Sequence, residues 1–407
     1  MNILFKAKQR TPAELARALR DALDRLSGAE VSTGLALTDP SDSRRSDDAV
    51  RALQQAKLVL YGDGTNDPMP EHVAQFAQES YALQLIEAML LAMPRLEFEL
   101  RKVVVQIVVL LLQRSIGSRL PTVEYIARHP AALFIALRGY EDQEVALNTG
   151  AVLREMLQHE ALAKCLLYSD EFYRFPAYIE TTSFGVSCDA FANMKEALVR
   201  HRGMAAEYLS ENYQRFFAAY TQLLESPNYV TKRQSVKLLA ELVVNRSNYA
   251  VMMRFVSDEN NLKLVMNLLR DRSRNIQYEA FHVFKVFVAN PKKTPRVEAI
   301  LRRNRERLLA YLSDFSPERD TDTFVDEKQY VIHIIECVRP AVPADQLTSH
   351  PVAHMYSTMA ASSPPGPGQG LRPLYRRCEC ADAPVRRPCR TRASPASLSA
   401  RAQPSPR

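Results

Sequence analysis

The most densely patterned part of the chain is residues 228–291, which read NYVTKRQSVKLLAELVVNRSNYAVMMRFVSDENNLKLVMNLLRDRSRNIQYEAFHVFKVFVANP. Apolar side chains recur there every three or four residues, which is the spacing of one face of an amphipathic α-helix. Short polar links separate three such runs. Asn290-Pro291 ends the last run, because proline lacks the amide hydrogen that a helix interior needs. The stretch therefore predicts three consecutive helices, each with one buried face.

One apolar triplet with the spacing i, i+3, i+7 repeats along the chain, and its first members lie 45, 41, 45 and 45 residues apart. A period of about 40–47 residues is typical of HEAT and armadillo units, whose helices bury their apolar faces only by stacking on the neighbouring units. We therefore predict an all-α, armadillo/HEAT-like helical-repeat solenoid, a curved rod, over residues 1–340. The triplets are Val105/Val108/Leu112, Gly150/Leu153/Leu157, Phe191/Met194/Leu198, Val236/Leu239/Val243 and Phe281/Phe284/Val288.

Helix start signals predict further elements at both ends of the repeats. Thr11, Pro12 and Glu14 match a capping box with proline at the first helical position, so a first helix is expected to run to about Leu26. Residues 28–47 are polar and rich in turn formers, which predicts a loop. Further helices are expected at about 48–61, 71–93, 295–313 and 324–337, the last closing the apolar end of the stack.

The composition changes sharply after Pro340. Residues 341–407 hold 11 of the 24 prolines and few large apolar side chains, so we predict a separate, disordered tail. The tail has nine arginines and three acidic residues, a net charge of +6 out of the chain's +7, which leaves residues 1–340 nearly neutral. A nearly neutral body gives little reason to expect nucleic-acid binding, although local basic patches could still bind a polyanion.

No catalytic or ligand-binding motif stands out in the sequence. Phosphate-binding, nucleophile-elbow and zinc-protease patterns are missing, and the six cysteines do not have zinc-site spacing, so we predict no enzyme activity, no metal and no cofactor. Cys165 and Cys188 fall in apolar helical runs, which predicts reduced core thiols. The chain offers neither a signal peptide nor an apolar run long enough to span a bilayer, and the expected location is cytoplasmic.

The basic residues of the patterned region are the candidate binding residues. Arg233 and Lys237 lie one helical turn apart beside a buried stripe, and Arg246, Lys263, Arg303 and Arg307 follow. Two interpretations remain open: a solvated face, with Arg246 as a helix-dipole partner, or a strip that docks acidic or phosphorylated protein segments. Phe184, Tyr249 and Met266 lie near these cations in the pattern, and a cationic rim around an apolar pocket suits a partner's aromatic side chain.

Several strings in residues 1–340 resemble the calcium-binding protein 39 (Mo-twenty-five type) scaffolds. The most specific is NLKLVMNLLRDRSRNIQYEAFHVFKVFVANPKKT at 261–294, and the others are NYVTKRQSVKLLAEL at 228–242, TVEYI at 122–126, ALNTGAVLRE at 146–155 and TPAELARALRDAL at 11–23. The tail lies outside the resemblance.

The resemblance implies an armadillo-like rod that has neither catalytic activity nor a calcium site. Members of this family bind STRAD-type pseudokinases and germinal-centre-type protein kinases and hold the kinase fold in its active arrangement. In fungi, relatives serve a kinase network for polarised growth and cell separation. We therefore expect a protein kinase activator that acts in signalling for polarity, morphogenesis or growth and is monomeric when unbound.

The resemblance also implies two binding surfaces. Residues that match the family's concave kinase-facing surface are Phe184, Arg233, Lys237, Arg246 and Tyr249. The residues that match its pocket for a partner's C-terminal Trp-Glu-Phe tail are Lys263, Met266, Arg303 and Arg307. The family usually carries Phe at position 249 and Lys at 303 and 307. Arginine keeps the charge but changes the geometry of the donors. Two other functions stay open from the sequence: a helical-repeat adaptor for transport or nucleic-acid binding, and an unrecognised enzyme.

Overall fold

A computed structural model describes residues 10–27, 40–62, 67–315 and 322–338. Every regular element within these ranges is a helix, apart from one isolated bridge between Ile116 and Arg119. The predicted disordered tail and the domain boundary at residues 340/341 lie outside the described residues. The α-helices are α1 Pro12–Ser27, α2 Pro40–Tyr61, α3 Pro70–Ala82, α4 Leu85–Ala92, α5 Phe98–Gln113, α6 Pro121–Arg128, α7 Ala131–Arg138, α8 Ala146–Leu157, α9 Glu160–Leu167, α10 Phe175–Thr181, α11 Phe184–Val199, α12 Arg202–Glu211, α13 Tyr213–Leu224, α14 Tyr229–Val244, α15 Tyr249–Ser257, α16 Glu259–Leu269, α17 Arg274–Ala289, α18 Pro295–Arg303, α19 Arg305–Ser313 and α20 Asp322–Cys337.

The helices from α3 onward form units of three, and the third helices of neighbouring units pack against each other, except that α11 and α14 approach at few points. The third helices are α5, α8, α11, α14, α17 and α20, and α2 occupies the same position before the first unit. The predicted triplets lie on α5, α8, α11, α14 and α17. Every triplet side chain is buried except Val105, which is half-buried. The predicted all-α, armadillo-like repeat is therefore confirmed for the described residues.

The first helix begins as predicted. The backbone N–H of Thr11 donates to Glu14 Oε2 at 2.9 Å, and the backbone N–H of Glu14 donates to Thr11 Oγ1 at 3.3 Å. These are the two reciprocal hydrogen bonds of a capping box. The predicted loop at 28–47 is wrong in its second part, since α2 already begins at Pro40, where proline suits the first turn. Residues 28–39 lie outside the described ranges.

Two predicted helices are each divided in two. The helix expected at 71–93 breaks after α3, because Gln84 adopts the left-handed conformation with φ 49°. The Arg20 guanidinium donates to the carbonyl oxygens of Leu83 at 2.6 Å and Gln84 at 3.2 Å, so this break is stabilised from α1. The helix expected at 295–313 breaks at Asn304, whose side-chain amide donates to Ile300 O at 2.8 Å.

A polar network joins α8 to α11 in the row of third helices. The Tyr140 hydroxyl donates to Asp189 Oδ2 at 2.6 Å, and Asp189 also pairs with Arg154. The Asn193 amide donates to the Tyr140 hydroxyl at 2.6 Å and to Gly150 O at 2.9 Å. Burial of the phenol raises the pKa of Tyr140. The network needs a close approach of α11 to the backbone of α8 at Gly150.

We expect Gly150→Ala to destabilise the protein. An added Cβ at Gly150 would overlap Asp189 Oδ2 and would lie 2.8 Å from the Tyr140 hydroxyl oxygen. Overpacking of a closely packed interior costs roughly 1–3 kcal/mol. Urea unfolding followed by circular dichroism should show a lower midpoint.

The matched control is Gly203→Ala in the first turn of α12. Nothing lies within 4 Å of a Cβ added there. Because alanine is the better helix former by roughly 0.5–1 kcal/mol, this variant should be as stable as the original protein or slightly more stable. An equal loss of stability in both variants would contradict the close packing inferred at Gly150.

Candidate partner-docking surface

The helices α11 and α14 run in the same direction, with a cleft between their amino-terminal halves. The cleft is bounded by side chains from α10, α11 and α14, namely Ile179, Ser187, Cys188, Phe191, Val230, Thr231 and Gln234. Cys188 is exposed at this cleft, so the prediction that it is a core thiol is wrong. It lies three residues before Phe191, on the outward side of the helix. Cys165 is half-buried and packs against the core.

Three of the predicted site residues lie on the two helices that bound this cleft. Phe184 is the first residue of α11, and 68% of its surface is exposed. Arg233 is half-buried and Lys237 is exposed, one turn apart on α14. Arg233 lies beside the hydroxyl of Tyr229. The pKa of the Tyr229 phenol falls below its usual value, first because Asn275 donates a hydrogen bond to it at 3.2 Å, and further because Ser273 and the Arg233 cation are close.

Arg246 and Tyr249 lie after α14 rather than on it. The helix ends at Val244, and Arg246 begins a single 3-10 turn that leads into α15 at Tyr249. The Asn245 side chain accepts a hydrogen bond from Ser247 N at 3.0 Å, and the Asn248 amide donates to Leu242 O at 2.8 Å. These bonds fix the turn. Both Arg246 and Tyr249 are exposed, Tyr249 to 61%.

Lys263 and Met266 are on α16, whose first turn is capped by the Asp258 side chain. Met266 is half-buried and packs against the core, so only part of its side chain is accessible. Lys263 Nζ lies 3.6 Å from Glu259 Oε1 and 3.4 Å from Asn260 Oδ1. The charge of Lys263 is thus partly matched within its own helix.

Arg303 and Arg307 are both exposed, but they lie on different helices. The prediction of one continuous helix at this point is wrong, because Asn304 separates α18 from α19. The Tyr311 hydroxyl donates to Leu269 O at 2.5 Å and so ties α19 to the end of α16. Helix α18 also packs against α16. The predicted residues therefore fall into a group around α11 and α14 and a group on α16, α18 and α19, with Arg246 and Tyr249 on the intervening turn.

Within the described residues, no ion pair includes Arg233, Lys237, Arg246, Arg303 or Arg307. Lys232, on the same helix as Arg233, behaves differently: it is half-buried and its Nζ lies 3.3 Å from Asp271 Oδ2. A cation with no acidic neighbour can pair with a carboxylate or phosphate of another molecule. The arrangement can therefore bind an anionic protein segment.

The sequence interpretation missed Tyr229 and the cleft itself. Phe98, Phe184 and Tyr229 each lie seven residues before the first member of a triplet, and each is the exposed first residue of a third helix. This recurring aromatic position was readable from the repeat register. The cleft was not, because it depends on how far apart α11 and α14 lie.

Groups of at least three His, Cys, Asp or Glu side chains that could hold a metal ion do not occur among residues 10–27, 40–62, 67–315 and 322–338. In the same ranges, none of the helices combines the length and the apolar character that crossing a bilayer requires.

The sequence also matches known proteins. The model of the family described as Mo25-like matches residues 3–339. "Calcium-binding protein 39-like" of Homo sapiens is 44% identical over 341 residues, covering 84% of this chain and 98% of the relative. "Mo25-like protein" of Schizosaccharomyces pombe is 41% identical over 338 residues, covering 83% and 99%. "Conidiophore development protein hymA" of Emericella nidulans is 36% identical over 362 residues, covering 81% and 91%.

We expect Lys232→Ala and Lys237→Ala to differ in stability although the two residues share a helix. Removing Lys232 leaves the half-buried Asp271 carboxylate without its cation, which should cost roughly 1–2 kcal/mol. Lys237 is exposed and unpaired in the described structure, so its removal should change the free energy of unfolding by less than about 0.5 kcal/mol. Urea unfolding of both variants checks this, and equal losses would mean that Lys237 has a structural role.

Proposed function

The chain belongs to the Mo25-like family, and on this basis we propose that it is a non-catalytic scaffold that binds and activates a protein kinase or pseudokinase of the germinal-centre or STRAD type. The single observation that supports this most is that the two helices bounding the cleft carry exposed Phe184 on α11 and, on α14, Arg233 and Lys237, two cations that have no acidic partner in the described part of the chain. An aromatic side chain beside unmatched cations is typical of the residues that dominate protein–protein interfaces.

The mechanism that suits these residues is a population shift. An isolated kinase samples its active conformation as a minor state, and a surface that binds this state more tightly raises its population by the difference in affinity. Such a surface must fit the active conformation of the partner better than any other. Phe184 stands on α11, and Arg233 and Lys237 stand on α14. Each of these helices is held by an opposite face that is buried in the core.

We assign the second group to a partner's C-terminal tail of the Trp-Glu-Phe type. Met266 offers part of an apolar side chain on α16, and Arg303 and Arg307 are exposed cations on the two helices joined to it. A tail with aromatic side chains and a terminal carboxylate would pack on Met266 and pair with the arginines. Lys263 contributes less than the arginines, because Glu259 already lies 3.6 Å from it.

We place this activity in cytoplasmic signalling for cell polarity, morphogenesis or growth, with a free protein that is monomeric. A relative at 36% identity is named for conidiophore development, which is a morphogenetic process. No feature of the described residues favours a nucleic-acid adaptor over a protein scaffold.

The central test reverses two charges at once. In Arg233→Glu plus Lys237→Glu, carboxylates replace the cations that would pair with the partner. Capture of germinal-centre-type kinases from an extract should fall at least about tenfold, because removing one partner of a buried interfacial charge pair costs roughly 2–5 kcal/mol. Activation of the captured kinase should fall in parallel. Mass spectrometry of the captured proteins and a kinase assay provide the measurements.

The charge-matched control is Arg51→Glu plus Arg202→Glu, which changes two exposed arginines on α2 and α12 by the same total charge. It should bind and activate like the original protein. Unchanged capture and activation in the Arg233/Lys237 variant would refute the proposed surface, and failure of the original protein to capture any kinase would refute the proposed function.

The tail site is tested with a fluorescent peptide that ends in Trp-Glu-Phe. Arg303→Glu plus Arg307→Glu should weaken its binding at least about tenfold, because two charge-assisted contacts become repulsive. Arg233→Glu, outside this group, should leave peptide affinity within about twofold, as expected for distant sites. Fluorescence polarisation gives the affinities, and equal effects of the two variants would contradict the division into two sites.

A further inference from the structure

The row of third helices is open at one place, between α11 and α14. From α2 to α20, every other neighbouring pair of third helices packs closely, whereas α11 and α14 approach each other at few points. Lys195 Nζ and Glu241 Oε2 lie 2.7 Å apart and join the carboxyl-terminal halves of the two helices. Their amino-terminal halves bound a cavity of about 60 Å³.

The size of this cavity suits one side chain. Its 60 Å³ corresponds to roughly two water molecules and is far below the roughly 300 Å³ of the smallest usual sites for small molecules. Ile179, Phe191 and Val230 provide apolar walls. The hydroxyl of Ser187 already donates to Ile179 O at 2.7 Å, so it does not need a ligand. The tip of a branched aliphatic side chain would therefore fit better than a polar group.

The outward face of α14 next to the cavity favours a negatively charged neighbour for that side chain. Cys188 and Gln234 are exposed at the cavity. Arg233 follows Val230 by one turn, and Lys237 follows Gln234 by one turn, and neither pairs with an acidic group among the described residues. The positive ends of two parallel helix dipoles lie on the same side. Charge complementarity thus points to a partner segment that carries Asp or Glu.

We propose that the α11–α14 cleft anchors a protein partner through one aliphatic side chain that enters the cavity and an Asp or Glu, about one helical turn away, that pairs with Arg233 or Lys237. The identity of the partner as a kinase-type protein rests on the proposed function. The preference of the cleft for an aliphatic group does not rest on the proposed function, and it can be measured without any kinase.

The first experiment uses Cys188 as a reporter at the cleft in the full chain. The protein is equilibrated with isobutyl disulfide and 2-hydroxyethyl disulfide under a fixed excess of thiol, and each adduct is quantified by peptide mass spectrometry. At Cys188 the isobutyl adduct should exceed the hydroxyethyl adduct at least about fivefold, because burial of each methylene is worth about 0.8 kcal/mol. Exposed Cys337 is the internal reference and should show no preference. The same ratio at both cysteines would overturn the proposal.

The second experiment fills the cleft. Cys188→Trp should lower capture of the kinase at least tenfold, because the indole would occupy the space that the partner's side chain enters. Leu147→Trp is the matched control, because Leu147 is exposed and stands in the same register on α8, three residues before the first member of its triplet. If Leu147→Trp lowers kinase capture equally, the effect comes from added bulk at any place on this face, and the proposal of an anchor at the α11–α14 cleft is overturned.

The outcomes separate this proposal from the proposed function. If Cys188 prefers the isobutyl group but Cys188→Trp captures the kinase normally, the scaffold function stands and the anchor proposal fails. If the original protein captures no kinase, the proposed function fails and the disulfide exchange alone decides the cleft. If light scattering shows a dimer that Cys188→Trp dissociates, the occupant is a second copy of the chain, and the proposal of a heterologous anchor is overturned.

Discussion

The fold depends on the inability of each third helix to bury its apolar triplet alone. Leu153 and Leu157 on α8, for example, are fully buried only because α5 and α11 lie on either side of that helix. Full burial of such a side chain is worth roughly 1.5–3 kcal/mol, and each unit gains it from its neighbours rather than from its own residues. The stacking therefore fixes both the direction of every third helix and the side chains that it leaves exposed.

This constraint explains why cations with different roles occur on one helix. On α14, Val236, Leu239 and Val243 face the core. Lys232 lies in line with them, one turn before Val236, whereas Arg233 and Lys237 lie to one side of this stripe. The neighbouring unit supplies Asp271 to Lys232 and supplies no acidic group to the other two. The core thus determines which charges stabilise the fold and which remain available to a partner.

Much of the architecture could be predicted from the sequence, because helical periodicity and repeat length are local properties. The triplets identified five third helices, and Thr11 with Glu14 identified the start of α1. The breaks at Gln84 and Asn304 could not be predicted, since the first depends on the Arg20 guanidinium that reaches across from α1. Cys188 was placed in the core because its run is apolar, although its position relative to Phe191 turns it outward. Membership of the candidate residues in two groups followed from the family resemblance. Their positions on separate helices and turns depend on tertiary contacts.

The uneven contact between third helices bears on the mechanics of the helical array. Tyr140, Asp189 and Asn193 lock α11 to α8, while on its other side α11 meets α14 mainly through Lys195 and Glu241. Thermal bending of the array should therefore concentrate at this junction, and the exposed ion pair makes its stiffness sensitive to ionic strength. A partner that bridges α11 and α14 would then restrict this bending and join two stiffer groups of helices into one. The conformational entropy lost on binding would lower the affinity for that partner.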